Sequence, residues 1–268
     1  MAEQALIPPL GYPVRLTDYD PEYAGSMSKE EAAERTEEYK ARIAQRQEVL
    51  YAQGKYSLLV IFQAMDAAGK DSAIRHVFSG VNPQGIRVAN FKAPAAHELA
   101  HDFLWRVHAQ VPPRGMIGVF NRSHYEDVLI VRVNQLVPED VWRKRYDHIN
   151  AFERLLHDSG THILKFYLHI SKDEQKKQLQ ERLNDPSKHW KFSIGDLPVR
   201  QQWDEYMRAY EDVFARCSTL YAPWHIVPAN KRWYRTYVIA KTIAEALDAM
   251  PLRYPEPEPG LDQVVIAD

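Results

Sequence analysis

The stretch that most constrains this chain runs from Leu58 to Ile74 and reads LLVIFQAMDAAGKDSAI. An apolar run of strand length gives way to a loop of small residues ending in Gly69-Lys70, and a helix start follows. A buried strand feeding such a loop is how a protein builds a phosphate cradle, because only small side chains let successive backbone N–H groups face one anion. On this reading Ala67, Ala68, Gly69, Lys70, Asp71 and Ser72 surround the phosphate, and the Lys70 ammonium reaches its terminal groups. The stretch departs from G-x-x-x-x-G-K-[ST] in two places. Ala64 stands at the first glycine position, and Asp71 replaces the hydroxyl residue, with Ser72 one step later. A plain turn, or an alanine-rich helix start capped by Asp66, fits the same residues.

With 268 residues the chain can bury a full core, and one large α/β domain with a mobile insert is the economical organisation. The formal net charge of −2 argues against a dedicated nucleic-acid binder. A single cysteine, Cys217, excludes an intrachain disulfide and fits a reducing compartment. The opening MAEQALIPPL has neither the basic flank nor the apolar core of a signal peptide, and no apolar run approaches bilayer length. The expectation is a cytoplasmic protein without membrane partners.

Residues 1–27 are rich in Pro, Tyr and Gly without periodicity and are expected as an extended arm. Ser28 and Glu31 form a capping box for one long helix that Gly54 ends. Apolar bursts then predict strands at Ser57 to Gln63, Ile86 to Phe91, Met116 to Phe120, Ile163 to Ile170 and His225 to Val227, with helices between them. Such alternation implies a parallel sheet covered on both faces, with ligands at the carboxyl ends of its strands. Residues 28–250 are thus one α/β domain. Within it, about 173–214 departs from the alternation. A charged helix halted by Asn184-Asp185-Pro186 and a second helix after a polar stretch suit either a lid that excludes water or a plain surface hairpin. The tail, 251–268, alternates Pro and Glu and is expected to be flexible.

A second polar cluster follows the third strand. VFNRSHYED places Asn121, Arg122, Ser123, Glu126 and Asp127 just beyond an apolar run. Phosphoryl transfer needs metal ligands and an arginine there, since its catalysis is mostly positioning and electrostatics. A capped helix with solvated charges fits as well. Elsewhere, His97 to His101 reads HELAH and matches H-E-x-x-H, the zinc-binding helix of metalloproteases, which in a chain with 11 histidines can arise by chance.

Taken in order, several segments resemble the polyphosphate kinase 2 family. They are MDAAGKDSAI, the FKAP of Phe91 to Pro94, HDFLWR at His101 to Arg106, FNRSHYED at Phe120 to Asp127, ERLNDPSKHWKFS at Glu181 to Ser193, and NKRWYR from Asn230. The resemblance spans about Tyr56 to Leu247. It implies a P-loop kinase-like parallel sheet flanked by helices, with a helical lid insertion. The implied activity moves the terminal phosphoryl group between inorganic polyphosphate and an adenine nucleotide, AMP or ADP, with Mg²⁺, Mn²⁺ being the alternative ion.

The resemblance also implies roles. Asp66 and Lys70 match the family's Walker A aspartate and lysine, Arg122 the arginine of the second strand motif, and Arg182 a lid arginine. Asp66 would hold the metal. Other members carry Asp where this chain has Asn121, so Glu126 and Asp127 become the candidates for the missing negative charge. The FNRSHYED wording is similar to the class that accepts both AMP and ADP. A long polyanion needs a row of cations, and Lys92, Arg106, Lys188, Lys191 and Lys231 lie in the matched segments, with ordinary solvated side chains as the alternative. A homo-oligomer, dimer or tetramer, is expected of a parallel-sheet kinase with long amphipathic helices. Two other functions use the same motifs: an ATP-dependent kinase of a nucleotide or small molecule, and a P-loop nucleotide-binding module without turnover. A GTPase-like switch is disfavoured because Asn230-Lys231-Arg232-Trp233 lacks the aspartate of a guanine reader.

Overall fold

The computed structural model describes residues 7–266. Its centre is strand β1, Ser57–Gln63, whose seven residues are all buried. A strand apolar at successive positions must be covered on both faces, which only a parallel sheet with helices on either side achieves. The remaining strands are β2 (Ile86–Asn90), β3 (Ile117–Asn121), β4 (Thr161–His169) and β5 (Trp224–Pro228). They form one five-stranded sheet in the order β2-β3-β1-β4-β5, with every pairing parallel. The sequence-predicted strands fall at the same places, with every boundary within two residues.

The long helix, Lys29–Gln53, begins where Ser28 Oγ accepts the Glu31 N–H at 3.1 Å. It ends at Gly54, whose φ of 61° lets its N–H return to the Leu50 carbonyl. Ala32, Thr36, Ile43, Gln47 and Leu50 form its buried stripe, and its main packing partner is the helix Arg232–Ala249. The helices Glu139–Asp158 and Trp203–Cys217 pack together by β4, where Tyr167 meets Tyr210 and Phe214.

The arm before Ser28 is docked onto the strand ends. Leu16 N–H donates to Glu211 Oε1 at 2.7 Å, and the Pro21 carbonyl accepts the Asn230 N–H at 3.1 Å. Val14, Leu16, Ala24 and Met27 are buried. Residues 1–6, within which most of the signal-peptide reading falls, lie outside the described residues. Beyond Leu252 the tail is exposed at 253–261 and 263–266. No helix among the described residues is long and apolar enough to cross a membrane.

Only part of 173–214 is peripheral. The helix Lys172–Asn184 starts with Ser171 capping Glu174, and exposed Trp190 and Ile194 follow it. The helix Trp203–Cys217, in contrast, buries Trp203, Tyr206, Ala209, Tyr210, Val213, Phe214 and Cys217 and is part of the core. Its apolar residues recur at helical spacing, so one face must be covered.

One charged network lies wholly inside the fold. Lys165 Nζ, on β4, donates to Glu153 Oε2 at 2.5 Å, to Tyr125 Oη at 2.8 Å and to the Cys217 carbonyl at 2.7 Å. Tyr125 Oη donates to Glu153 Oε1, which His124 Nε2 also approaches. Burial pushes the Glu153 carboxyl up, but Lys165 and His124 override it and hold the group below its ordinary range. The stabilisation from this ionised carboxylate is present above the unfolded-state carboxyl pKa and is lost as pH falls through the depressed folded one.

Glu153→Leu strands a buried ammonium and is expected to lower unfolding free energy by about 3–5 kcal/mol. The double variant Glu153→Leu/Lys165→Met is expected to recover most of that loss. Denaturant unfolding of both proteins checks this, and a single variant as stable as the parent would contradict it.

Candidate active site

At the carboxyl end of β1 the chain leaves the sheet as Ala64-Met65-Asp66-Ala67-Ala68-Gly69 and enters the helix Lys70–Val77. Two residues of this loop have left-handed backbones, Ala67 at φ 65° and Gly69 at φ 91°. For alanine that conformation carries strain, which proteins tend to keep at functional sites. Lys70 folds back under the loop, with Nζ donating to the Ala64 carbonyl at 3.0 Å and the Met65 carbonyl at 3.4 Å.

Beside the loop opens a cleft of about 760 Å³. Met65, Asp66 and Asp71 line it from the loop and helix start, Asn90 and Lys92 from the end of β2 and just past it, and Asn121, Arg122 and Glu126 from the end of β3 and the turn that follows. Ser193 and Asp196 close one side, and Tyr206 and Tyr210 form a wall from the helix Trp203–Cys217. Arg122 is another non-glycine residue with positive φ, 61°. Its N–H donates to the Phe62 carbonyl at 3.0 Å, and its guanidinium pairs with Asp66. Asn121 Nδ2 donates to Asp71 Oδ1 at 2.6 Å and to Asn90 Oδ1 at 2.9 Å.

The charges interact strongly. Burial, aided by the Arg122 charge, lowers the Lys70 pKa to about 8. Burial raises the Glu126 carboxyl against the pull of Arg122 and Lys70. For Arg122, burial opposes the charged form, but Glu126 and Asp66 outweigh it and raise the pKa. Asp196 is raised by burial and by Asp66.

The sequence-predicted residues divide accordingly. Asp66, Lys70, Asp71, Asn121, Arg122 and Glu126 converge at the loop and cleft, with Lys92 at the rim. Arg182 reaches the same side indirectly, with Nη1 3.8 Å from Asp196 and donating to the Lys191 carbonyl at 3.0 Å. Arg106 donates to the Lys92 carbonyl at 2.8 Å and lines the neighbouring groove with Arg87 and Gln110.

Other predicted residues lie elsewhere. Asp127 does not line the cleft, because it is held by Arg145 at 2.8 Å. Ser72 Oγ faces His76 Nδ1 at 3.4 Å. Lys188 pairs with Asp185, Lys191 lies over the Trp190 ring, and Lys231 precedes the helix Arg232–Ala249; none of these lines the cleft. The HELAH segment is not a continuous helix. Helical residues end at Leu99, and His97 and His101 both turn to Trp105, the latter stacked at 4.2 Å.

Sequence reading missed Asp196, Tyr206, Tyr210 and Arg235. The first three lie far from the loop in sequence, and nothing local marks them. Arg235 ends the NKRWYR segment, and its Nη1 donates to the Ala68 carbonyl at 3.1 Å. The segment was visible, but which of its cations turns inward depends on helix phase.

Aspartate, glutamate and amide oxygens suit a hard divalent ion. Among the described residues no three His, Cys, Asp or Glu side chains converge to hold one unaided. A divalent ion held here would take one or two carboxylates and fill its other positions from a bound phosphate, and Asp66, which lines the cleft from the loop, is a candidate ligand.

A parallel sheet whose central strand feeds a small-residue loop, a buried lysine and a charged cleft is the arrangement of a P-loop phosphoryl-transfer protein. The family model described as polyphosphate kinase 2 matches residues 26–255. The chain is 53% identical over 253 residues to an AMP/ADP-polyphosphate phosphotransferase of Meiothermus ruber, covering 94% of this chain and 95% of that one. It is 47% identical over 255 residues to an ADP-polyphosphate phosphotransferase of Rhodopseudomonas palustris, covering 91% and 87%. The crystal structure of polyphosphate kinase 2 from Arthrobacter aurescens TC1 superposes with a TM-score of 0.89 at 46% identity, covering 91% of this chain and 89% of that one. The chain belongs to the polyphosphate kinase 2 family.

Lys70 in the free protein loses its proton near pH 8, so its attraction for a polyanion weakens as pH rises from 7 to 9. Affinity for inorganic tripolyphosphate is expected to fall over that interval by up to about tenfold, the limit set by one linked proton. Lys70→Arg, whose charge persists, is expected to show a nearly flat profile. Calorimetric titration across pH checks this, and identical profiles would remove Lys70 as the cause.

Proposed function

We propose that this chain transfers the terminal phosphoryl group of inorganic polyphosphate to AMP and to ADP, reversibly, with magnesium or manganese. The observation that carries the reading is the cleft itself, in which an arginine and several carboxylates meet beside the loop that covers Lys70, where two polyanions must be brought together. The likeness to an AMP/ADP-polyphosphate phosphotransferase over nearly the whole chain supports the substrates.

In the proposed reaction an oxygen of the acceptor's terminal phosphate attacks the terminal phosphorus of the chain. The P–O bond to the next phosphate breaks, and the shortened polyphosphate leaves with that oxygen. No protein nucleophile is required, and buried Cys217, whose thiol burial pushes up to about 12, has no part in it. Lys70 releases its loop carbonyls to meet phosphate oxygens, and Arg122 supplies a second cation opposite the developing charge. Arg182, now engaged with Asp196, can approach from the exposed segment if that segment closes as a lid. A divalent ion bound at Asp66 would neutralise phosphate oxygens and orient them for in-line transfer. The cytoplasm, where nucleotides are abundant, is the compartment of this reading, and a homo-oligomer is its expected assembly.

ATP formation from ADP and long-chain polyphosphate with a divalent metal, and no other phosphoryl donor, is the direct test. Lys70→Ala is expected to stay folded and to lose about three or more orders of magnitude in turnover, comparable to losing a main transition-state contact. No ATP from the parent protein, or near-normal activity in folded Lys70→Ala, would refute the reading.

Glu126 supports the two-acceptor assignment. It is half-buried at the cleft beside Arg122, where a carboxylate can orient that arginine or recruit the metal for the shorter acceptor. Glu126→Asn keeps the size and removes the charge. Its kcat/KM is expected to fall by about tenfold more for AMP than for ADP. Equal losses would assign Glu126 to the common chemistry instead.

A further inference from the structure

Behind the phosphate loop lies a guanidinium for which the proposed reaction has no use. Arg235, in the first turn of the helix Arg232–Ala249, is 2% exposed. Charged side chains this deeply buried are normally paired with an opposite charge. Arg235 has no such partner among the described residues: its Nε is buried without an acceptor, and the charge that bears on it is another cation, Arg232. The one hydrogen bond of its side chain among the described residues runs from Nη1 to the carbonyl of Ala68 at 3.1 Å.

That bond has a geometric consequence. In a trans peptide the C=O and the following N–H point in opposite directions, and the protein has no cis peptide among the described residues. Drawing the Ala68 carbonyl back toward Arg235 turns the Gly69 N–H the other way, and no acceptor among the described residues takes that N–H. Lys70 does the same one turn earlier, holding the Ala64 and Met65 carbonyls. Arg235 also fills the space beside Gly69, where an added Cβ would stand 2.3 Å from its Nη1. The left-handed φ of 91° and the contact together leave room for glycine alone.

We infer that Arg235 is a positioning residue of the phosphate loop: by holding the Ala68 carbonyl it aims the Gly69 N–H at a bound phosphate, and its unneutralised charge attracts the polyanion through the loop. The inference rests on the phosphate-binding reading proposed above. A buried cation without a carboxylate is costly in the free protein, and a phosphate on the far side of one peptide group offsets that cost. Arg235 touches no reacting atom on this account. It acts through the backbone it holds.

Binding of inorganic polyphosphate of one chain length, without nucleotide, separates the two ideas when titrated at several salt concentrations. If the parent protein does not bind it, the functional reading fails, whatever Arg235 does. With binding established, Arg235→Met is expected to weaken it by about tenfold and to flatten its salt dependence, as removal of an attracting charge does. Arg235→Lys keeps the charge without the planar fork. It is expected to weaken binding by only about threefold and to retain the parent's salt dependence. A residue with a merely structural role would lower the melting temperature and leave affinity and salt dependence of the folded protein unchanged. Folded Arg235→Met that binds within about twofold of the parent, with the same salt slope, overturns the proposal. If Arg235→Met does not fold, Arg235→Lys decides: binding weakened about threefold with the parent's slope supports the proposal, and unchanged affinity, or a slope reduced as by a lost charge, overturns it.

Discussion

Strand β1 is paired on both sides along most of its length, to β3 through Leu58 to Phe62 and to β4 through Ser57 to Gln63. The site depends on this double ladder. A strand held from both edges cannot shift register without breaking two sets of hydrogen bonds, so the loop that leaves it starts from a fixed point. The same ladder brings the end of β3 next to the end of β1. Phe62 pairs with Asn121, and the Phe62 carbonyl accepts the Arg122 N–H. Asp66 and Arg122, 56 residues apart in the chain, therefore meet as an ion pair.

The turn after β3 is fastened from below. Arg122 and Glu126 face the cleft, whereas Ser123, His124 and Tyr125 are buried between them. Tyr125 and His124 reach Glu153, which Lys165 neutralises. A buried ion pair contributes little net stability compared with well-packed apolar residues. Here it ties His124 and Tyr125 of the turn, the helix Glu139–Asp158 and β4 into one network, so rigidity of the turn is its evident use.

Cations meet loop carbonyls at both ends of the small-residue segment, Lys70 at Ala64 and Met65 and Arg235 at Ala68. Carbonyls turned inward leave amides turned outward, and that polarity is what an anion site requires. The carboxylates of the cleft counterbalance it. Asp66 and Glu126 keep Arg122 charged, while burial lowers Lys70 toward neutrality. The site thus holds cations of unequal proton affinity within one small volume.

The sheet was legible from residues alone because each strand is a short apolar run bounded by turn residues, and Ser28 and Gly54 mark the ends of their helix by local hydrogen bonding. The loop after β1 was legible for a related reason: the small residues Ala67, Ala68 and Gly69 stand between an apolar run and a helix start. Asp127 was not, since a carboxylate beside the motif reads alike whether it faces the cleft or Arg145. Nor was the helix Trp203–Cys217 as a cleft wall, because Tyr206 and Tyr210 gain that role only through packing against β4. Sequence by itself determined where the backbone would pair, turn and cap, which neighbouring residues decide. Only the tertiary structure decided which charges meet, because ion pairs such as Asp66 with Arg122, and contacts such as Ala68 with Arg235, join segments whose separation in the chain carries no local signal.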